Sequence, residues 1–351
     1  MHYRILKGQN MSYEQIAAAK PAKKSQILSD KKLFLFLLAI VTIFPLIFIP
    51  STSAFRAEVS SIDNVFRLLL LMSTMHVGLT AYFYLDNQYR SQVFDKWKYY
   101  IGFPVTLIVC AGLLTGFSPK WGLIYLMIFY HAWLLYHYGR QNYGILAFTA
   151  ISTGTGRPML LERIALHLAP IGGICASYKV LGQFKKSVLF PYTDLLQNIG
   201  ILLTIIALIC AIYSSVYQFR KHHSLQRPAM LMLLSCFYLP TFFFNNYVQA
   251  VMGYAIAHAL QYFVFMSFLA TGTNTKRPMH SLIVLIGGML STWGLILLTR
   301  EKGIWGSFEP FVPGIGIGLI MWHFIMDAGF WKLSVPWQRE QVISRIPFIF
   351  K

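Results

Sequence analysis

The sequence predicts an all-α protein, a polytopic transmembrane bundle of about ten helices. Three observations support this fold class: 56% of the 351 residues are hydrophobic, only 12% are charged, and the mean hydropathy is +0.55. Soluble domains carry about twice that share of charged residues. The chain therefore has no room for a sizeable water-soluble domain, and we interpret each apolar run of about 17 to 25 residues as a membrane span.

The chain divides into an arm, a bundle and a tail. Residues 1–32 are polar and basic, and we expect them to lie in the cytoplasm against anionic lipid. Residues 33–332 form a single transmembrane bundle that begins with an uncleaved span, and residues 333–351 form a cytoplasmic tail. The predicted spans, in order, are Leu33–Pro50, Asn64–Leu85, Tyr100–Phe117, Trp121–Phe148, Leu160–Tyr178, Asp194–Phe219, Pro228–Phe244, Tyr247–Ala270, Met279–Thr299 and Phe311–Trp331.

The charges between these runs predict the orientation. With the N-terminus inside, the inside loops contain Arg90, Lys96, Lys98, Arg157, Arg220, Lys221, Arg227, Lys276 and Arg277. The outside loops hold fewer, chiefly Arg56, Lys120, Lys179, Lys185, Lys186, Arg300 and Lys302. This bias predicts cytoplasmic termini. We expect a multi-pass protein of the bacterial inner membrane. The bias also accounts for the net charge of +18, so the expected partner is the lipid bilayer and not nucleic acid.

Four histidines share one layer of the predicted bundle. His76, His137, His258 and His323 all lie on even-numbered spans, roughly 14 to 18 Å from the cytoplasmic end at the helical rise of 1.5 Å per residue. Titratable side chains inside a membrane are costly and usually face a partner, water or a metal. His131 and His167 lie outside this layer and are secondary candidates.

Each histidine of the layer has a polar neighbour about one helical turn away. These neighbours are Thr80, Gln141, Gln261 and Asp327, which follow His76, His137, His258 and His323 in that order. Asp327 has three open roles: a metal ligand, an orienting partner for His323 through its second nitrogen, or a proton acceptor. Arg140 and Asn142 flank Gln141 and are candidates for holding a substrate head group, although Arg140 equally suits an interfacial position.

The chemistry of these side chains suggests a metal site. Neutral imidazole binds iron, zinc or copper through one nitrogen. Iron with several histidines and a carboxylate activates oxygen, whereas zinc with three histidines supplies a hydroxide. We assign the four histidines of the layer as ligands of iron, with zinc as the alternative, Asp327 and Gln141 as catalytic residues, and Arg140, Asn142 and Gln261 as substrate-binding residues. The structural alternative is that each histidine forms a hydrogen bond to a neighbouring helix. Such a bond stabilises the packing of membrane helices by about 0.6 to 2 kcal/mol.

Intramembrane histidines on separate helices, without a soluble domain, make the chain similar to the Brp/Blh family of bacterial carotenoid-cleaving dioxygenases. The resemblance rests on His76, His137, His258 and His323, and it implies a helical bundle that holds one iron by histidines. That family has two ligands four residues apart on one helix, for which His323 and Asp327 are the nearest equivalent here. The segments HYGRQNYG, HALQY and HFIMDAGFWK also resemble a set found in uncharacterised bacterial polytopic proteins, which implies nothing about activity.

Two functions of different class follow from these residues. The first is a membrane-embedded, metal-dependent oxidoreductase, similar to an oxygenase, that acts on an apolar or lipid-like small molecule. The second is a proton-coupled transporter in which the same residues form a relay and Arg140 meets an anionic substrate. Paired interrupted helices would favour transport. The sequence offers one such interruption, Pro170 to Gly173 in the fifth span, which either crosses the membrane or re-enters it.

Overall fold

The all-α prediction is confirmed. A computed structural model describes residues 24–51, 74–181, 189–245, 247–273, 278–300 and 303–350, and most of these residues are helical, with no strand among them. Most of the predicted basic arm and the first part of the predicted second span lie outside the described residues.

Of the ten predicted spans, the first, third, fifth, sixth, eighth and tenth coincide with described segments that are long and apolar enough to cross a bilayer. The described helices include these segments and further elements. In chain order they are α1 Lys24–Ser51, α2 Tyr82–Leu85, α3 Asn87–Asp95, α4 Phe103–Phe117, α5 Trp121–Ser152, α6 Leu160–Ser177, α7 Thr193–His222, α8 Gln226–Ser235, α9 Pro240–Phe243, α10 Gly253–Thr273, α11 Pro278–Arg300, α12 Val312–Phe330 and α13 Pro336–Arg345. Short 3₁₀ turns lie at His76–Ala81, Phe190–Tyr192, Gly306–Phe311 and Pro347–Ile349, and π turns lie at Lys98–Gly102 and Val248–Met252. The predicted seventh span is divided between α8 and α9.

The protein is an integral membrane protein, because six of its described segments are long and apolar enough to cross a bilayer. They are Asp30–Ser51, Lys98–Phe117, Leu160–Ser177, Phe190–His222, Val248–Gly272 and Gly306–Phe330. Helix α7 exposes Leu202, Ile209 and Tyr213 along its length, as expected of a helix that faces lipid. The predicted fifth span is one continuous helix, α6, with Pro170 inside it.

Helices α4 and α12 approach each other closely through a glycine. A Cβ atom at Gly314 would overlap the carbonyl oxygen of Ala111 and the hydroxyl of Thr115. The backbone N–H of Gly314 donates to this hydroxyl at 3.2 Å. Small residues allow such close backbone contact between helices in membranes. Since α12 also carries His323 and Asp327, this contact fixes the helix that presents both residues.

We expect Gly314→Ala to lower the free energy of unfolding by about 1–3 kcal/mol, because the added methyl group requires the α4 backbone to move. The matched control is Gly316→Ala on the same helix, where a Cβ atom finds nothing within 4 Å. That variant should be neutral or slightly stabilising, since alanine favours the helix. Unfolding of both variants in detergent measures the difference, and equal stability would contradict the proposed contact.

The C-terminal helix α13 closes one end of the bundle. The buried guanidinium of Arg345 donates to Tyr82 Oη at 3.1 Å, to Asp86 Oδ1 at 2.9 Å and to Gln88 Oε1 at 2.8 Å. Partial burial of Asp86 opposes its ionisation, but the hydrogen bond and charge of Arg345 outweigh it and hold the pKa of this carboxyl below its ordinary value. The predicted tail is therefore held against the bundle at Arg345.

Candidate metal centre

Four histidines from separate elements meet inside the protein. His76 lies in the 3₁₀ turn before α2, His137 on α5, His258 on α10 and His323 on α12. Their exposed fractions are 4%, 6%, 0% and 0% in that order. The four residues of the predicted layer are thus brought together, and none of them faces lipid.

The rings are in contact with one another. The His76 ring centroid lies 4.8 Å from those of both His258 and His323. The His137 centroid lies 4.9 Å from that of His258 and 5.2 Å from that of His323. Each of the four imidazoles is therefore in contact with two others of the set.

Asp327 adds a carboxylate to this cluster. Its Oδ2 atom lies 3.4 Å from His323 Nε2 and 3.5 Å from His137 Nε2, and the side chain is buried. Among the described residues, two groups bring ligand atoms within 4.8 Å of one another: His76, His258 and His323, and His137, His323 and Asp327. Ligands of one ion are about 3–4 Å apart when metal–nitrogen bonds are near 2 Å. Both carboxylate–imidazole distances fall in that range.

Several atoms of the cluster have no hydrogen-bond partner within the described part of the chain. They are Nε2 of His137, both ring nitrogens of His258, Nε2 of His323 and Oδ1 of Asp327. A buried polar atom without a partner costs about 1–3 kcal/mol. A cation bound among them would satisfy nitrogen lone pairs and carboxylate charge together. The mixed nitrogen and oxygen donor set fits iron or zinc.

Aromatic side chains enclose the cluster. The ring of Tyr138 lies 4.1 Å from that of His258, Phe324 lies 4.4 Å from His137, and Tyr262 lies 4.9 Å from His323. None of the three was among the residues predicted for the site. A signal was present for each, because Tyr138 and Phe324 adjoin predicted ligands and Tyr262 follows His258 by four residues on one helix face.

Thr80 contacts a different histidine from the one beside it in the sequence. Its hydroxyl Oγ1 lies 2.7 Å from Nδ1 of His323, and both side chains are fully buried. Thr80 follows His76 by four residues, and this spacing predicted that His76 would be its neighbour. The contact with His323 joins segments 243 residues apart, which helical spacing cannot reveal.

Gln141 and Gln261 belong to a chain of hydrogen bonds beside the cluster. Gln141 Nε2 donates to Gln261 Oε1 at 2.9 Å and to the backbone oxygen of His258 at 3.1 Å. Gln261 Nε2 in turn donates to Thr42 Oγ1 at 2.7 Å. This chain ties α5, α10 and α1 together at the level of His258, so both amides position the helix that carries it.

The remaining predicted residues lie outside the two ligand groups. Arg140 is exposed, and its Nη1 lies 3.3 Å from Nε2 of His167, whose Nδ1 is 2.6 Å from the backbone oxygen of Arg163. His131 is buried, and its Nε2 atom lies 2.7 Å from Oγ of Ser177, within hydrogen-bond distance.

Asn142 is also outside these groups. It is 1% exposed, and its amide nitrogen and oxygen have no hydrogen-bond partner among the described residues. Of the three residues predicted to bind substrate, Gln261 is the one connected to the cluster by hydrogen bonds.

Comparison of the chain with protein families, with curated proteins and with solved structures found no match. The resemblance to the Brp/Blh dioxygenases therefore stays a prediction that rests on the four histidines. The functional argument depends on the geometry of the cluster.

Proposed function

We propose that this protein is a membrane-embedded, metal-dependent oxidoreductase of the oxygenase type. The observation that carries the proposal is the buried meeting of four imidazoles and one carboxylate from separate elements, with ring nitrogens that have no hydrogen-bond partner among the described residues. Buried polar groups are normally paired. A bound metal ion gives this arrangement a physical reason that helix packing alone does not supply.

Asp327 acts in this proposal as a direct ligand. Its Oδ2 atom faces the Nε2 atoms of both His137 and His323. A carboxylate that only orients a metal-bound imidazole bonds the ring nitrogen remote from the metal. Asp327 faces Nε2 of His323, whereas Thr80 contacts the other ring nitrogen, Nδ1. Of the three roles open to Asp327, the ligand role therefore fits these contacts best.

The proposal includes a single ion. The two ligand groups share His323, and the Nδ1 atom of that ring is within hydrogen-bond distance of Thr80. Only Nε2 of His323 is left to bind a metal, and one imidazole nitrogen binds one ion. We propose that both groups contribute to one centre, with His76, His137, His258, His323 and Asp327 as candidate ligands. Among the described residues no single group within 4.8 Å holds all five, so binding one ion through all of them would draw the side chains closer together.

We propose iron as the ion, with zinc as the alternative. Iron bound by histidines and a carboxylate activates oxygen, whereas zinc has no redox chemistry. The substrate class that suits the site is an apolar or lipid-like molecule. Tyr138, Tyr262 and Phe324 place aromatic rings against the imidazoles, and such a lining suits an apolar substrate better than a charged one.

The proposal also includes the finer topology, which comprises about ten spans, cytoplasmic termini and residence in a bacterial inner membrane. The alternative function, a proton-coupled transporter, would be favoured by interrupted helices in paired halves. The interruption that the sequence suggested lies in α6, which is continuous from Leu160 to Ser177. The predicted seventh span is interrupted between α8 and α9, but an interruption in one span does not make the paired arrangement that would favour transport.

The test is the metal content of the protein purified in mild detergent, measured by mass spectrometry before and after supply of ferrous iron or zinc. We expect about one ion per chain when ferrous iron or zinc is supplied alone, because the donor set fits either ion. A protein that stays metal-free after both additions would overturn the metal centre. A protein that binds zinc and excludes iron would overturn the oxidoreductase, because zinc does not exchange electrons.

A further inference from the structure

Thr80 has a contact that the proposed metal centre does not yet explain. Its Oγ1 atom lies 2.7 Å from Nδ1 of His323, in a site where both side chains have no exposed surface. A hydroxyl can donate or accept a hydrogen bond, so this contact is compatible with either neutral form of the imidazole. The two forms have opposite consequences for metal binding.

The first form places the proton on Nε2. That N–H would face Asp327, but the Oδ2 atom is 3.4 Å away, beyond the usual limit of about 3.2 Å for such a bond. Nε2 of His323 has no hydrogen-bond partner among the described residues. This form therefore leaves a buried N–H unpaired, and it blocks the nitrogen that faces the cluster.

The second form places the proton on Nδ1, which then donates to the Thr80 hydroxyl at 2.7 Å. The lone pair of Nε2 is directed to the side where Asp327 and His137 lie. A metal-bound histidine almost always donates its other ring N–H to an oxygen acceptor, which fixes the form and rotation of the ring. Here the acceptor is a hydroxyl.

We infer that Thr80 is the positioning residue of His323: it accepts the Nδ1–H bond and holds Nε2 toward the metal centre. This inference rests on the proposed function, since the ligand role of His323 gives the orientation its purpose. It also separates two tasks that the sequence had left to Asp327. Thr80 orients the imidazole, and the carboxylate is available to the ion.

The test compares Thr80→Val, which keeps the shape and removes the hydroxyl, with Thr80→Ser, which restores it. We expect Thr80→Val to weaken iron affinity by about 10–100-fold and Thr80→Ser to stay near wild type. The matched control is Thr149→Val, because Thr149 is also fully buried and its hydroxyl donates only within its own helix, to Ile145 O at 2.9 Å. That variant should bind iron as the wild type does.

A second measurement does not require metal. Nitrogen-15 spectra of ring-labelled histidine in metal-free protein distinguish a protonated from an unprotonated ring nitrogen, and the signals that Thr80→Val moves identify His323. A proton on Nδ1 in the wild type supports the inference, and a proton on Nε2 overturns it. Wild-type iron affinity in Thr80→Val would also overturn it while leaving the metal centre intact. Absence of metal from the wild type would instead overturn the proposed function.

Discussion

Replacing His258 with alanine should weaken metal binding by at least about 100-fold, the upper end of what loss of an outer-shell partner costs a metal site. His258 has no exposed surface, and its ring contacts those of His76 and His137. Neither of its ring nitrogens has a hydrogen-bond partner among the described residues. No other histidine of the cluster can take its position, because each is fixed to a different element.

The measurement is the rise in unfolding midpoint that iron produces. Metal at about 100 times its dissociation constant adds about 2.7 kcal/mol of stability, and a 100-fold weaker site retains about 0.4 kcal/mol of this. The iron-dependent rise should therefore nearly vanish in His258→Ala. This difference does not depend on how stable the metal-free variant is, provided that it folds.

His131→Ala is the matched control for this variant. His131 is also buried, at 3% exposure, and it lies on α5 with its ring bonded to Ser177. Its loss should lower the stability of the metal-free protein, as expected for a buried hydrogen bond. It should leave the iron-dependent rise unchanged. An equal loss of that rise in both variants would mean that buried histidines stabilise the fold generally and that His258 has no special role.

Much of the helical architecture was predictable, because apolar length identifies a membrane helix directly from the sequence. The shared depth of the four histidines in the bundle was also predictable. The helical rise per residue gives the distance of each histidine from the end of its span. Depth does not determine which way a side chain faces. The direction of His131, six residues before His137 on the same helix, differs from that of its neighbour, and only tertiary packing separates their partners.

Contacts between distant segments account for what the sequence did not reveal. Thr80 was associated with His76 by spacing, yet its hydroxyl meets His323. Gln141 and Gln261 were assigned chemical roles, and they are found in hydrogen bonds that connect helices. In each case the residue type was informative, but its partner depended on how the helices pack.

Arg227 is the clearest example of such a missed partner. It was counted among the charges of the inside loops, without a predicted partner. The side chain is 1% exposed and forms a two-point ion pair with Glu162, which has no exposed surface. Nε lies 2.9 Å from Oε1 and Nη2 lies 2.5 Å from Oε2. Its other N–H groups donate to the backbone oxygens of Thr155 and Arg157. Arg227 therefore joins α8, α6 and the loop before α6.

Arg227→Met should lower the free energy of unfolding by about 3–5 kcal/mol, because it leaves the Glu162 carboxylate buried without its counter-ion. Unfolding in detergent, followed by circular dichroism, measures this loss. The control is Arg163→Met, since Arg163 is adjacent to Glu162 in sequence but exposed. A surface substitution of this kind should change stability by no more than about 0.5 kcal/mol.

The double variant Arg227→Met, Glu162→Leu separates the charge effect from the loss of packing. Removing both charges abolishes the unpaired carboxylate, so the double variant should be more stable than Arg227→Met alone. Thr155 and Arg157 lie in a loop with partial access to water, which can hydrate the carbonyl groups that Arg227 releases. The expected coupling between the two sites is about 1–3 kcal/mol. Strictly additive losses would show that the two side chains stabilise the protein independently, through packing and backbone contacts, and that the ion pair itself contributes nothing.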